Sequence, residues 1–304
     1  MKIKLKNICC FVLVAFVPTM LQANEELIFE PIATYAASSN AGSEVVPSDK
    51  LAGAGAVVVD LAQFPEIHVA RSGGGLCTAS VLGPKTVLTA AHCVKDGGSL
   101  RVAGKRVTCT HSDSYNPKDK FGKTADYALC LSSSEIPSTK YGSILTEADI
   151  LKRGRYVLLS GFGCTAWNER DGNLRVGHAK IERTPSTSSN DIVVGWDSVY
   201  QGDGQGAALC PGDSGGPAFY LSNINDFSNR AIIAVNSRTG ITCISNPTLS
   251  AKECPKGDVV IAGSSFLSAL STDTAQSFIR SWMKKNDNPK ICGISLDDPK
   301  CIGL

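Results

Sequence analysis

The chain has 304 residues, 43% of them hydrophobic, enough for one large domain or two small ones around a sizeable core. Lysines and arginines number 30 against 28 acids, so the formal net charge of +2 gives no reason to expect nucleic acid or an anionic membrane as the main partner. Its 29 glycines fall between short strand-like runs, the texture of an all-β protein with many turns.

Residues 1–23 read as a signal peptide. "MKIKLKN" is basic, and "ICCFVLVAFVPTML" is an apolar run of 14 residues, too short to span a bilayer comfortably. "LQA" then offers a small residue for cleavage after Ala23. Removal takes Lys2, Lys4 and Lys6 and no acid, moving the net charge from +2 to −1. The mature chain would be secreted or periplasmic, with no stable membrane anchor. Ten cysteines remain of the 12, and an even number in an exported chain implies disulfides. There is no C-x-x-C pair and no H-E-x-x-H, so neither a metal site nor a cofactor is expected.

Residues 24–50 are small and polar, and read as a pro-segment or a flexible arm. From Leu51 the texture changes. "AGAVVVDLA", "EIHVA", "LCTASVLG", "KTVLTAA", "SLRVAG" and "RVTCT" are β-type runs, and after Asp126 come "YALCLSS", "YVLLSGFG", "DIVVGW", "PAFYL", "AIIAVNS" and "VVIAGSS". Two blocks of about six short strands, roughly 51–140 and 141–270, predict two barrels or a sandwich pair. "STDTAQSFIRSWMKK" predicts a capped amphipathic helix over 272–285, with Ala275, Phe278, Ile279 and Trp282 facing the core. The tail, 286–304, has no core of its own, and a Cys292–Cys301 loop would staple it.

Three segments could carry chemistry: "LTAAHCV" with His92, "TADYALCL" with Asp126 and "PGDSGGP" with Ser214. A serine hydroxyl is a poor nucleophile at neutral pH. It needs a base within hydrogen-bond reach, and the base needs an acceptor on its other ring nitrogen. Histidine titrates near working pH and can take and return the proton. The attacked carbonyl oxygen needs N–H donors, which glycines beside the serine allow the backbone to aim.

These segments closely resemble the chymotrypsin family of serine peptidases. "TAAHC" and "GDSGGP" match its histidine and serine motifs in full, "DYALC" matches its aspartate segment fairly, and the order His, Asp, Ser is the family's. The resemblance covers roughly residues 51–285. It implies two antiparallel six-stranded β-barrels with a C-terminal helix, and a serine endopeptidase acting on protein or peptide substrates. His92 would be the base, Asp126 its orienting carboxylate and Ser214 the nucleophile, with the N–H groups of Gly212 and Ser214 as oxyanion hole. Ser237, in "AVNSRTG", would line the cleft near the substrate backbone. The alternative is a catalytically silent binding protein on the same fold.

The resemblance also pairs Cys77 with Cys93, beside the histidine; Cys109–Cys130 would link strands flanking the aspartate's approach. Two pairings stay open for the remaining four: Cys210–Cys243 with Cys164–Cys254, or Cys164–Cys210 with Cys243–Cys254.

Two departures matter. The family's Ile-Val-Gly-Gly start is absent. A cut after Lys50, by an activating protease or by the enzyme itself, would free Leu51, whose amine could pair with Asp213 as the family's activation switch does. At the base of the pocket for the residue before the cut, six positions before the serine, stands Ala208. It offers no charge to a Lys or Arg side chain, so cleavage after uncharged small or apolar residues is expected, unless Arg238 points into the pocket and favours acids.

Overall fold

A computed structural model describes residues 56–73, 75–118, 125–164, 170–186, 189–195, 207–243 and 260–303. Residues 1–23, read from the sequence as a signal peptide, the stretch 24–50, Leu51 and Cys254 lie outside the described residues. Strand β1 (Ala56–Val58) is followed by β2 (Ile67–Ser72), β3 (Gly75–Gly83), β4 (Thr86–Thr89), β5 (Ser99–Val102), β6 (Lys105–His111) and β7 (Ala128–Ser132). β2 to β7 close into an antiparallel barrel in the order β2-β3-β4-β7-β6-β5. In β5 the burial alternates, with Leu100 and Val102 inside and Ser99 and Arg101 outside, as a half-buried strand with a period of two requires. β5 turns into β6 through Ala103 and Gly104, whose φ values of 48° and 76° suit a two-residue hairpin turn.

The second half contributes β8 (Tyr141–Gly142), β9 (Tyr156–Gly161), β10 (Arg175–Arg183), β11 (Asp191–Gly195), β12 (Pro217–Leu221), β13 (Arg230–Cys243) and β14 (Val260–Ala269). β10, β11, β14, β13, β12 and β9 are hydrogen-bonded in that order, and a β10–β9 pairing closes the ring. The fold is thus the two six-stranded barrels expected, with one difference. The run "AVV" of β1, which opens the first block in sequence, pairs with Arg175–Gly177 of β10 and widens the second barrel's sheet to seven strands.

A shared core joins the barrels. Phe64, Ile67, Leu82 and Leu88 from the first pack with Leu158, Phe219, Ile232 and Val235 from the second. Helix α1 (Asp273–Lys285) lays Ala275, Phe278, Ile279, Trp282 and Met283 on the same core. The Thr272 side chain accepts from the Ala275 N–H and caps its first turn. Glu66 and Arg230 lie buried between the halves, bonded through Arg230 Nε to Oε1 and Nη2 to Oε2, each at 2.8 Å.

The tail is docked rather than merely stapled. Ile291 is fully buried, the Cys292 N–H donates to the Leu82 carbonyl, and β15 (Cys301–Ile302) pairs in parallel with β8. Cys292 is bonded to Cys301. No helix among the described residues is long and apolar enough to cross a membrane.

Candidate active site

Ser214 sits on a turn that only glycines permit. Gly212 and Gly215 have φ of 111° and 83°, where a Cβ is strained. A Cβ on Gly215 would stand 2.1 Å from Thr89 Oγ1 and 2.9 Å from the Ala90 nitrogen, so the turn lies directly against the end of β4. Backbone bonds hold it there: Gly215 N–H donates to Asn236 O, Thr78 N–H to Ser214 O, and Thr78 Oγ1 to Gly212 O, at 2.8 to 2.9 Å. The N–H groups of Asp213, Gly215 and Gly216 are all used within the protein. Those of Gly212 and Ser214 have no partner among the described residues.

His92 follows β4 on a short helical turn, Ala91–Cys93, so the contact between that strand's end and the Ser214 turn brings the two motifs together. The Cys77–Cys93 disulfide braces this point, with Cys93 Sγ 3.6 Å from the Ser214 carbonyl oxygen. Both sulfurs of the grouping Cys77, His92 and Cys93 are therefore spent, and it offers no thiolate to a metal.

Asp126, just before β7, is buried and accepts three hydrogen bonds. His92 Nδ1 donates to Oδ2 at 2.7 Å, the His92 backbone N–H to Oδ1 at 3.0 Å, and Ser237 Oγ to Oδ2 at 2.6 Å. With Asp126 ionised, Nδ1 carries the proton and Nε2 is left as the acceptor. Burial alone would raise the Asp126 pKa, but its bonds and charge interaction with His92, and the Ser237 bond, lower it. Burial would lower that of His92; Asp126 overrides it, and the net direction is up, with the Arg238 charge acting against.

A second buried carboxylate, which sequence reasoning missed, completes this circuit. Asp191, fully buried at the start of β11, receives Arg238 Nη2 at 2.7 Å and Ser268 Oγ at 3.3 Å. Arg238 Nη1 lies 3.4 Å from Ser237 Oγ, and Ser268 Oγ accepts from the Asp126 N–H at 3.2 Å. Asp126, Ser237, Arg238, Asp191 and Ser268 form a closed ring. No local motif marks Asp191, because its partners Arg238 and Ser268 are 47 and 77 residues away. Burial pushes the Asp191 carboxyl up to about 6, against the Arg238 charge and bonds. The Arg238 guanidinium also covers the Phe266 ring, 4.7 Å from its centroid.

The ring gives a pH prediction. A general base must be neutral, so kcat/KM is expected to fall on acidification through an apparent pKa above 6.5, the ordinary value for histidine. The positive charge of Arg238 disfavours imidazolium, so Arg238→Gln is expected to move that midpoint further up. A pH–rate profile measures both, and a midpoint that stays put or falls in Arg238→Gln would take Arg238 out of the circuit.

Of the other residues singled out in the sequence, Ser237 donates its hydroxyl to Asp126. Asp213 points inward: its carboxylate accepts from Gly163 N–H at 2.7 Å and Cys210 N–H at 2.9 Å, and burial raises its pKa to about 6. It borders a small cavity of about 20 Å³ together with Ala208 and Ala56, the first residue of β1. Cys109 is bonded to Cys130. Cys164 is bonded to Cys210, tying the loop after β9 to the segment just before Ser214. The Cys243–Cys254 half of that pairing lies outside the described residues.

The family model described as Trypsin matches residues 60–265. The chain is 29% identical over 182 residues to trypsin alpha-4 of Lucilia cuprina, covering 54% of this chain and 71% of that protein. It is 27% identical over 195 residues to serine protease SP24D of Anopheles gambiae, covering 58% and 70% respectively.

Proposed function

The chain belongs to the trypsin family, and on that premise we propose that it is an exported serine endopeptidase working through Ser214, His92 and Asp126. The observation that carries this reading is the thrice-bonded Asp126 carboxylate, which holds His92 in one tautomer beside the Ser214 turn. Ser214 Oγ attacks the scissile carbonyl carbon as its proton passes to His92 Nε2. The oxyanion that forms takes hydrogen bonds from the Gly212 and Ser214 N–H groups. His92 returns the proton to the departing amine, leaving an acyl-enzyme. Water repeats the sequence: His92 takes its proton, its oxygen attacks the acyl carbon, and Ser214 leaves with the proton restored.

Family membership does not bring a tryptic preference with it. Ala208 offers no charge to a Lys or Arg side chain, and burying an unpaired cation costs several kcal/mol. A penalty of about 3 kcal/mol corresponds to roughly a hundredfold preference. Arg238 is neutralised by Asp191 and stacked on Phe266, which supports a pocket for uncharged residues over one for acids. Digestion of a peptide library by the purified protein is expected to cut after Leu, Phe and Ala. Dominant cutting after Arg or Lys would refute the argument from Ala208.

Activation by a new N-terminus at Leu51 belongs to the same reading. At most about 18 Å of extended chain separates Leu51 from Ala56, and Ala56 borders the Asp213 cavity. An amine freed at Leu51 can turn back to that carboxylate. Sequencing the N-terminus of the active protein checks this, and an active form beginning at Asn24 would exclude it. Four disulfides among the described residues support a location outside the cytosol.

A further inference from the structure

Three arginines stand side by side on the outer wall of the first barrel. Arg71 of β2 is directly opposite Arg101 of β5, and Arg101 is directly opposite Arg106 of β6. Directly opposed residues share a face, with Cβ atoms about 4.5–5.5 Å apart. All three are exposed. The tight turn at Ala103 and Gly104 fixes the last pairing, so the register cannot slip to separate the charges.

Like charges directly opposite one another destabilise a sheet. Elsewhere the protein neutralises such groups: Arg175 pairs with Asp171, Arg230 with Glu66, and Arg238 with Asp191. Among the described residues, no hydrogen bond or ion pair engages the side chain of Arg71, Arg101 or Arg106. The cleft between them, about 320 Å³, is lined otherwise mainly by Ser72, Gly73, Gly75 and Ser99, with no acid. The small lining residues leave the guanidinium forks open to a ligand.

The cleft also adjoins the candidate active site. Arg71 lies opposite Leu76 of β3, and a Leu76 side-chain methyl is 3.3 Å from where a Cβ on Gly212 would stand. A polypeptide lying against the Ser214 turn therefore passes within one strand pair of the arginine row.

We propose that this row is a binding site for an acidic polypeptide segment, several aspartates or glutamates on a protein delivered to the catalytic cleft. Guanidinium matches carboxylate in two parallel hydrogen bonds. Three such groups across about 10 Å of sheet suit carboxylates spaced along an extended chain. That the anion is carried on a polypeptide rests on the protease reading; that the cleft takes an anion does not.

Binding is measured on the Ser214→Ala chain, so the readout needs no catalysis. The probe is a fluorescein-labelled glutamate-rich dodecapeptide, with its glutamine counterpart as control, followed by anisotropy. The acidic peptide is expected to bind at least about tenfold tighter than the glutamine peptide in about 0.05 M salt, and to lose that margin in about 0.5 M. Replacing all three arginines (R71Q, R101Q, R106Q) is expected to weaken it about tenfold or more. Equal binding of the two peptides, or undiminished binding by the triple variant, would overturn the proposal. A sulfated oligosaccharide binding more than tenfold tighter than the acidic peptide would overturn the polypeptide assignment. Because the replaced charges repel, the triple variant is expected to melt no lower than its parent. Should it fail to fold, Arg101→Gln alone carries the test, with about threefold weaker binding expected and none overturning it. If the chain binds the acidic peptide yet cleaves no peptide, the protease reading fails and the anion site stands.

Discussion

A fluorophosphonate is expected to label the wild-type protein and to leave Ser214→Ala unlabelled, with kcat falling about 10⁶-fold in the variant. The size follows from the circuit. Without Oγ there is no nucleophile, and what survives is the contribution of the oxyanion donors and substrate binding, about 10³–10⁴-fold over water. His92→Ala should fall as far, because a serine hydroxyl with no base at Nε2 is again a poor nucleophile. The double variant should then be no worse than either single one, since the two residues act as a unit. Asp126→Asn should lose about 10⁴-fold. An amide there donates as well as accepts, and favours the tautomer with its proton on Nε2, the nitrogen that must receive from Ser214. The Ser237 hydroxyl, which donates to Asp126 Oδ2, cannot correct that. Equal labelling of wild type and Ser214→Ala would place the reactive group elsewhere. No label in either would identify a catalytically silent binding protein on this fold.

The second large effect concerns stability. Glu66→Gln is expected to lower the free energy of unfolding by about 3–5 kcal/mol, measured by urea titration. Glu66 and Arg230 are 0% and 2% exposed. Arg230 Nη2 also donates to the Gln63 carbonyl at 2.8 Å, Nη1 donates to the Phe227 carbonyl, and the guanidinium lies 4.2 Å from the Phe64 ring centroid. The site is buried, so removing the carboxylate leaves a buried cation without its counter-charge. Replacing both members together, Glu66→Leu with Arg230→Met, should lose much less, because apolar groups of similar volume need no partner. A single variant as stable as wild type would show that water or a neighbouring group reaches Arg230. The pair joins residues 164 positions apart, so its loss should loosen the packing of one barrel on the other.

Where motif residues are contiguous, sequence and structure meet closely. "TAAHC" and "GDSGGP" each specify a local backbone shape: a strand end with a short helical turn, and a glycine-dependent turn with two free N–H groups. The alternation in β5 and the helical spacing from Ala275 to Trp282 likewise depend only on neighbours along the chain. Such features are legible because their physics is local.

Other pairings between distant residues were not legible. The cysteines left two arrangements open around Cys164 and Cys210, and the choice fell to which loop met the segment before Ser214. The sequence showed no partner for Arg238, and only the placing of β11 brought a buried Asp191 against it. Three arginines scattered over 36 residues became a row only when β2, β5 and β6 were placed edge to edge in one register. The tail without a core of its own found one on the first barrel through Ile291 and the Leu82 carbonyl. The sequence by itself determined the chemical groups and the local shapes that present them. The tertiary structure alone decided which charges are neutralised and which are left facing water, because a charge is answered by whatever lies beside it in space, and chain separation carries no information about that.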